Sequence, residues 1–329
     1  MSSYPPRHCG VGAYAHASVE RMRAEGRDVT VISGLDGAGD VRAPLEGGAA
    51  FRRAAAMGGR FDRIEVHYQP SLYYRPRAAL SKILTSASLL WLVLRRRQTE
   101  IVVHEADQPA LWRPDYLLLR LAFGRARRLL FHTDAERRTL EEQYRIRPRY
   151  RLVEHTQGIR VHAPLAREEA RRRLRLDPQA PLYLCAGFLH PDKGFERAVQ
   201  AFAQSGASGG ARVVILGSVR ERTPRNLAYA RTLRDLCERT PGATLVEGYV
   251  SDEDFDAWMA AADRLVLPYR RSWSSGALAR ARALGTPAIV SAVGGLPEQA
   301  GPGDTVFTDD GQLAALLRES APAAAEGGR

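Results

Sequence analysis

"RLVLPYRRSWSSGALARARALGTPAIVSA", residues 264–292, decides how the rest of the chain is read. Residues 264–269 form a short apolar run without alternation, the pattern of a parallel strand covered on both faces. Ser274, Ser275 and Gly276 follow, with hydroxyls that cap a helix and a glycine that lets a ligand approach the backbone. The helix after them carries arginines and no acid, and it stops at the Gly285-Thr286-Pro287 turn. A second apolar run, 287–292, completes strand–helix–strand. A helix that opens without an acid leaves its first N–H groups for an external anion.

The same unit recurs along the chain. Strand-like runs fall at 28–33, 63–68, 100–105, 128–133, 150–155, 181–187, 212–218, 243–249, 264–269, 287–292 and 304–308. Helical patterns lie between them, among them Val11–Gly26, Ala135–Tyr144 and Phe195–Phe202. Such alternation predicts an α/β, doubly wound architecture. Over 156–180 a glycine turn, prolines and a charged helix interrupt the pattern. That seam divides a Rossmann-like half at 1–160 from a second at 161–318, with 319–329 a low-complexity, mobile tail. The opening "MSSYPPRHCGVGAY" reads as the loop after a first strand, so that strand is expected to be missing or truncated.

With 329 residues, 45% of them apolar, two domains with packed cores are within reach. Cys9, Cys185 and Cys237 share no metal-like spacing and cannot all pair, which points to a reducing, cytoplasmic setting. The net charge of +11 suits nucleic acid, anionic lipid or phosphorylated small molecules. The arginines are interleaved with acids on helices and no nucleic-acid module is present, so nucleic acid is set aside. Most of the charge is read as solvated helix faces, and part of it as lining for a phosphate site. No run approaches the roughly 20 apolar residues that cross a bilayer. The nearest, "SKILTSASLLWLVLRRR" at 81–97, is bracketed by Lys82 and Arg95-Arg96-Arg97. It reads as a domain helix, with peripheral contact at the inner face of a membrane left open.

Four constellations bear on chemistry. In "GFLHPDKGFERAVQAF", 187–202, Lys193 stands at a second helix mouth and adds a mobile cation to the exposed N–H groups, although a lysine there is commonly just solvated. Gly10 and Gly12 in "GVGAYA" fit G-x-G-x-x-A loosely, with Asp36 as a ribose candidate. Pro5, Pro6, Arg7 and His8 intervene, so a glycine loop near a ligand is the better reading. His67, His104 and His132 close three strand runs. Each singly suits a structural role, and His104, followed by Glu105 and Asp107, is the one chosen as reactive. Asp252-Glu253-Asp254 imitates a D-x-D metal site, but Ser251 before it and a helix after it make it a capping box.

Taken in order, "YPPRHCGVGAY", "FHTDAERRTL", "GFLHPDKGFERAVQAF", "GYVSDEDF", "AADRLVLPYR" and "ALGTPAIVSAVGGLPEQ" resemble the retaining glycosyltransferases of the GT-B fold, family 4. The resemblance implies two Rossmann-like domains facing across a cleft, the second holding a nucleotide-sugar donor. No metal or cofactor is implied. A carbohydrate, lipid-linked or small-molecule hydroxyl would be the acceptor. It implies Lys193 and the backbone of Ser275, Gly276 and Ala277 on the donor diphosphate, with Gly10 and Gly12 over the phosphates. Arg270 and Glu298 complete the donor-side set, and His67 and His104 stand on the acceptor side, His104 and Lys193 serving catalysis. The chain departs from the family at Phe188, where many members carry arginine, and at Ser272 and Arg280, where two glutamates are usual. Arg270, Arg271 and Arg280 are candidates to supply compensating charge. Three alternatives stand beside transfer: a GT-B sugar-nucleotide epimerase or hydrolase, a non-catalytic sugar-nucleotide-binding relative and, more distantly, a dinucleotide oxidoreductase.

Overall fold

The computed structural model describes residues 1–7, 9–74, 78–106, 112–162, 165–207 and 210–319. His8, Asp107 and all of the expected tail beyond Glu319 lie outside the described residues. By its contacts the chain divides into two units, Met1–Ile159 and Arg160–Arg329.

The first unit carries β1 (Ile32–Ser33), β2 (Val41–Arg42), β3 (Ile64–Tyr68), β4 (Thr99–Val103), β5 (Arg128–Phe131) and β6 (Tyr150–Leu152). β3-β4-β5-β6 form one parallel sheet and β1-β2 a parallel pair. Met1 and Ser2 lie between the two. Ser2 bridges Ser33, its N–H bonds Ile32 O at 3.1 Å, and His67 N–H bonds Met1 O at 3.0 Å. Residues 1–2 thus hold the first strand's place, giving the order β2-β1-(1–2)-β3-β4-β5-β6. The apolar runs become strands because both faces are covered: Ile101, Val103, Leu129 and Phe131 are wholly buried.

The second unit carries β7 (Leu182–Ala186), β8 (Arg212–Gly217), β9 (Ala243–Glu247), β10 (Arg264–Leu267), β11 (Ala288–Ser291) and β12 (Thr305–Phe307). All are parallel, in the order β12-β11-β10-β7-β8-β9. That is the doubly wound order of a dinucleotide-binding sheet, with its topological switch between β7 and β10. The amino ends of these two strands are tied by Asp263, which accepts from Leu182 N–H and from Arg171, each at 2.7 Å. Arg171 is only 1% exposed and donates also to Ala261 O, Asp177 O, Pro178 O and Ala180 O. Its guanidinium is buried because each of its three nitrogens finds an acceptor. This arginine departs from the expectation of solvated helix faces, and composition alone carries no sign of it.

Each of the expected strand runs contains a strand. The run 28–33 shrinks to Ile32–Ser33, and the two-residue β2 had no apolar signal. The expected helices appear as Gly10–Ala24, Asp134–Tyr144 and Phe195–Ser205.

Candidate functional site

The loops that leave β7 and β10 meet at the switch of the second unit. Arg270 N–H bonds Asp192 O at 2.8 Å, zipping the two loops together. Gly194 must be glycine for two reasons. Its φ is +59°, and a Cβ there would stand 2.4 Å from Pro268 O. The turn places Lys193 with its ammonium 3.8 Å from the centroid of the Tyr269 ring. Tyr269 is itself buried, and its hydroxyl lies 3.5 Å from Ser275 Oγ. One tyrosine therefore touches both Lys193 and the cap of the next helix. Among the described residues no carboxylate meets the Lys193 ammonium.

Helix Gly276–Ala283 opens directly beyond. Ser275 Oγ accepts from Leu278 N–H at 3.3 Å, so the expected cap is made. The Ser275 N–H, which the resemblance assigned to the diphosphate, instead donates to Gln299 Oε1 at 2.7 Å, and Gln299 Nε2 returns a bond to Ser275 O at 3.3 Å. That corrects one of the three expected backbone donors. Gly276 and Ala277 remain as first-turn residues whose N–H groups meet no acceptor among the described residues. The Gly294-Gly295 pair holds this loop from behind. A Cβ on Gly294 would fall 1.7 Å from Ser272 O, and Gly295 N–H bonds Trp273 O at 2.8 Å.

The mouth of helix Phe195–Ser205 is different. Phe195 N–H bonds Tyr229 Oη at 2.8 Å, and Tyr229 donates to Glu196 Oε2 at 2.6 Å. Arg270 pairs with the other oxygen of Glu196. The mouth behind Lys193 is thus met by the Tyr229 hydroxyl and already carries the protein's own acid in its first turn, which takes up Arg270. Arg280 is likewise engaged, by Asp256 and Asp252, with its guanidinium 5.1 Å over Phe255. It does not supply the compensating charge expected of it. Asp254 serves the helix start: its N–H is capped by Ser251 Oγ at 3.1 Å and its carboxylate takes Arg173 at 2.6 Å. Glu298 is exposed on the short helix Leu296–Gln299. Beside Phe188, Arg220 from the loop after β8 brings a guanidinium 5.6 Å from the ring centroid. Sequence reasoning missed Gln299 and Arg220, since one acts from a helix and the other from a loop, each remote in sequence from its partner.

In the first unit, Gly12 is buried and packs on Ser3, 3.2 Å from Ser3 Oγ to its would-be Cβ, whereas Gly10 is exposed with open space beside it. Asp36, the ribose candidate, pairs with Arg7 at 3.1 Å. The strand-end histidines converge. His67, His104 and His132, joined by His155, surround the Tyr14 ring edge-on at 5.7, 5.0, 5.1 and 5.6 Å. Gly158 lets this ring in, because a Cβ there would meet Tyr14 at 2.0 Å. His155 also ends a strand run, so the pattern that flagged the other three was present; Tyr14 carried no such sign.

The cluster is electrically quiet. Burial pushes all four imidazoles below their ordinary range, His132 to about 4, and neighbouring imidazoles add to the drop for His104 and His155. His132 Nε2 is buried with no hydrogen-bond partner among the described residues, in keeping with a neutral ring. Burial raises the Glu65 carboxyl, but the bond from His67 and the nearby Arg63 outweigh it and hold it at about 2. Glu65 Oε1 lies 3.1 Å from His67 Nε2, and His67 Nδ1 lies 3.1 Å from His104 Nε2. An ionised Glu65 requires the proton on His67 Nε2. His67 Nδ1 then accepts from His104 Nε2–H, which leaves His104 Nδ1 with its lone pair.

Residues 180–321 match the family model described as glycosyl transferases group 1. Two curated relatives are D-inositol 3-phosphate glycosyltransferases. That of Streptomyces griseus is 35% identical over 142 residues, 41% of this chain and 30% of that protein. That of Pseudarthrobacter chlorophenolicus is 28% identical over 265 residues, 78% of this chain and 60% of that protein. The chain therefore spans less than two thirds of the length of either. Among solved structures, Anabaena HepE in complex with UDP-glucose superposes with a TM-score of 0.68 at 15% identity, covering 97% of this chain and 88% of that one. Sucrose-phosphate synthase from Thermosynechococcus elongatus gives 0.59 at 18%, covering 83% and 71%. The fold is thus of the GT-B type, with two Rossmann-like units, and the second unit carries the match to group 1 glycosyl transferases.

Proposed function

We propose that the chain is a retaining, metal-independent glycosyltransferase that moves a sugar from a nucleotide-sugar donor to a hydroxyl acceptor. The observation that carries this reading is the convergence, at the switch of the second unit, of the Lys193 ammonium with the open N–H groups of Gly276 and Ala277. An ammonium and two aligned N–H groups form a cradle for a diphosphate, fixed before the ligand arrives. UDP-glucose is the first donor to test, because HepE is described in complex with UDP-glucose and with UDP. The names of the curated relatives make a polyol phosphate the first acceptor to try.

In the reaction, the bond from the anomeric carbon to the diphosphate oxygen breaks and a bond to the acceptor oxygen forms on the same face. The acceptor proton passes to the departing diphosphate, and no protein nucleophile is invoked. A diphosphate is a good leaving group, so the protein's part is positioning and charge stabilisation. Lys193 and the helix opening take the charge that builds on the diphosphate. In the first unit, His104 is held neutral and turned by the Glu65–His67 chain, which leaves its Nδ1 able to accept from a hydroxyl.

A second reading is binding without transfer. It is favoured by Ser272 and Arg280, which stand where the resembled family has glutamates. Ser272 Oγ is turned back on Ser274 O at 3.1 Å and Arg280 is held by two aspartates, so neither position offers a carboxylate. A thermal-shift panel of UDP-, GDP-, ADP- and dTDP-sugars in the presence of a chelator tests the donor site, since a ligand bound only by the native state raises its melting temperature. Product analysis with and without acceptor then separates transfer from hydrolysis and from binding alone. No stabilisation by any nucleotide sugar would remove both readings.

A further inference from the structure

We propose that the solvent face of helices Ala79–Arg95 and Pro114–Arg125 in the first unit docks on an anionic lipid bilayer. This inference is independent of the glycosyltransferase reading. The first helix is uncharged between Lys82 and Arg95. One side buries Leu89, Leu92 and Val93, as a domain helix should. The opposite side exposes Leu80, Leu84, Trp91 and Leu94 at 70, 48, 45 and 53%. Their spacing of four, seven and three residues is a single helical stripe. The second helix packs against the first and exposes Leu117 and Leu121, four residues apart, at 50 and 44%. Just before it, Trp112 is 85% exposed. Soluble surfaces scatter such residues singly; a helical stripe of leucine and tryptophan, with more on the helix packed beside it, marks an interaction face.

Charge selects the occupant. The first helix contains no acid, and the second contains only Asp115, which is held by Arg113 through bonds of 2.9 and 2.7 Å. Both helices cross over between adjacent parallel strands, β3 to β4 and β4 to β5, so they run in the same direction. Their last turns lie at one end of the stripe, where Arg95, Arg97 and Arg125 are exposed. Leucine and tryptophan rimmed by arginine is the composition that enters the headgroup boundary of a negatively charged leaflet. A second copy of the chain would bring no carboxylate on this face to meet those arginines, whereas anionic headgroups do. No helix among the described residues is long and apolar enough to cross a membrane, so the contact is peripheral.

The test is flotation of the full chain with vesicles of two parts phosphatidylcholine to one part phosphatidylglycerol, and with vesicles of phosphatidylcholine alone. Binding to the anionic vesicles is expected to be at least about tenfold tighter, and to weaken with salt. The double variant Leu84→Ser/Leu94→Ser, altered only at exposed positions, is expected to keep its melting temperature and to lose about tenfold in binding. Arg95→Gln/Arg97→Gln is expected to lose the preference for anionic vesicles. Failure of the unaltered chain to float, or unchanged flotation of the leucine variant, would overturn the proposal. So would a dimer in sedimentation velocity that the leucine variant abolishes without any vesicle binding, since the face would then belong to a second copy.

Discussion

Two helices open at the same switch of the second unit, Phe195–Ser205 after β7 and Gly276–Ala283 after β10. In sequence both look like anion sites, one with a lysine and one with a serine–glycine cap. In the fold they are opposites. The first is met by the Tyr229 hydroxyl and carries Glu196 in its first turn, where Tyr229 and Arg270 hold the carboxylate in place. The second has no acid in its first turn, and its cap and clamp, Ser275 and Gln299, use groups that leave Gly276 and Ala277 N–H open. Lys193 belongs by sequence to the first opening but lies over Tyr269, beside the second. The difference teaches that a helix N-terminus is a site only when the chain has not already answered its dipole.

Making the two openings alike should have the largest effect. Ala277→Asp puts a carboxylate in the open first turn, as Glu196 does in the closed one. We expect donor affinity to fall about 100-fold with little change in melting temperature, measured by calorimetric titration with UDP. Lys193→Ala removes the mobile cation and should cost about tenfold to 100-fold in UDP affinity, with partial recovery in Lys193→Arg. Gln299→Leu leaves the buried Ser275 N–H without its acceptor. It should destabilise the protein by about 1–3 kcal/mol in chemical denaturation and weaken UDP binding about threefold by loosening the cap. Glu196→Gln should matter least: a stability loss of about 1 kcal/mol from the weakened Arg270 and Tyr229 bonds, and UDP affinity within about twofold. An effect of Glu196→Gln on donor binding as large as that of Lys193→Ala would erase the distinction between the two openings.

Much of the fold was legible because parallel strands buried on both faces announce themselves as short apolar runs. Such runs need no partner to be recognised; the one expected over 181–187 became β7, Leu182–Ala186. The two-residue β2 was not legible, since Val41–Arg42 gains its strand geometry only from pairing with β1. The site was legible in part. Lys193, Ser275 and Gly276 were singled out from local chemistry, a cation and a cap next to strand ends, and the fold sets them at one switch. Gln299, Tyr229 and Arg220 were not, because each acts from another loop or helix on a residue distant in sequence, and no spacing encodes that. Arg270 was placed on the donor side and Arg280 was a candidate for compensating charge, yet Glu196, Asp252 and Asp256 claim them. The histidines show the same limit. His67, His104 and His132 each read as a strand-end residue, and only their meeting around Tyr14, with burial on every side, makes them a neutral cluster.

The most direct measurement is the melting temperature of the unaltered chain and of Lys193→Ala with and without UDP, in chelator. A stabilised unaltered chain and a variant that gains little or nothing are the expected result. Equal stabilisation of both proteins, or none in either with any nucleoside diphosphate, would contradict a diphosphate cradle formed by Lys193 and the opening of helix Gly276–Ala283.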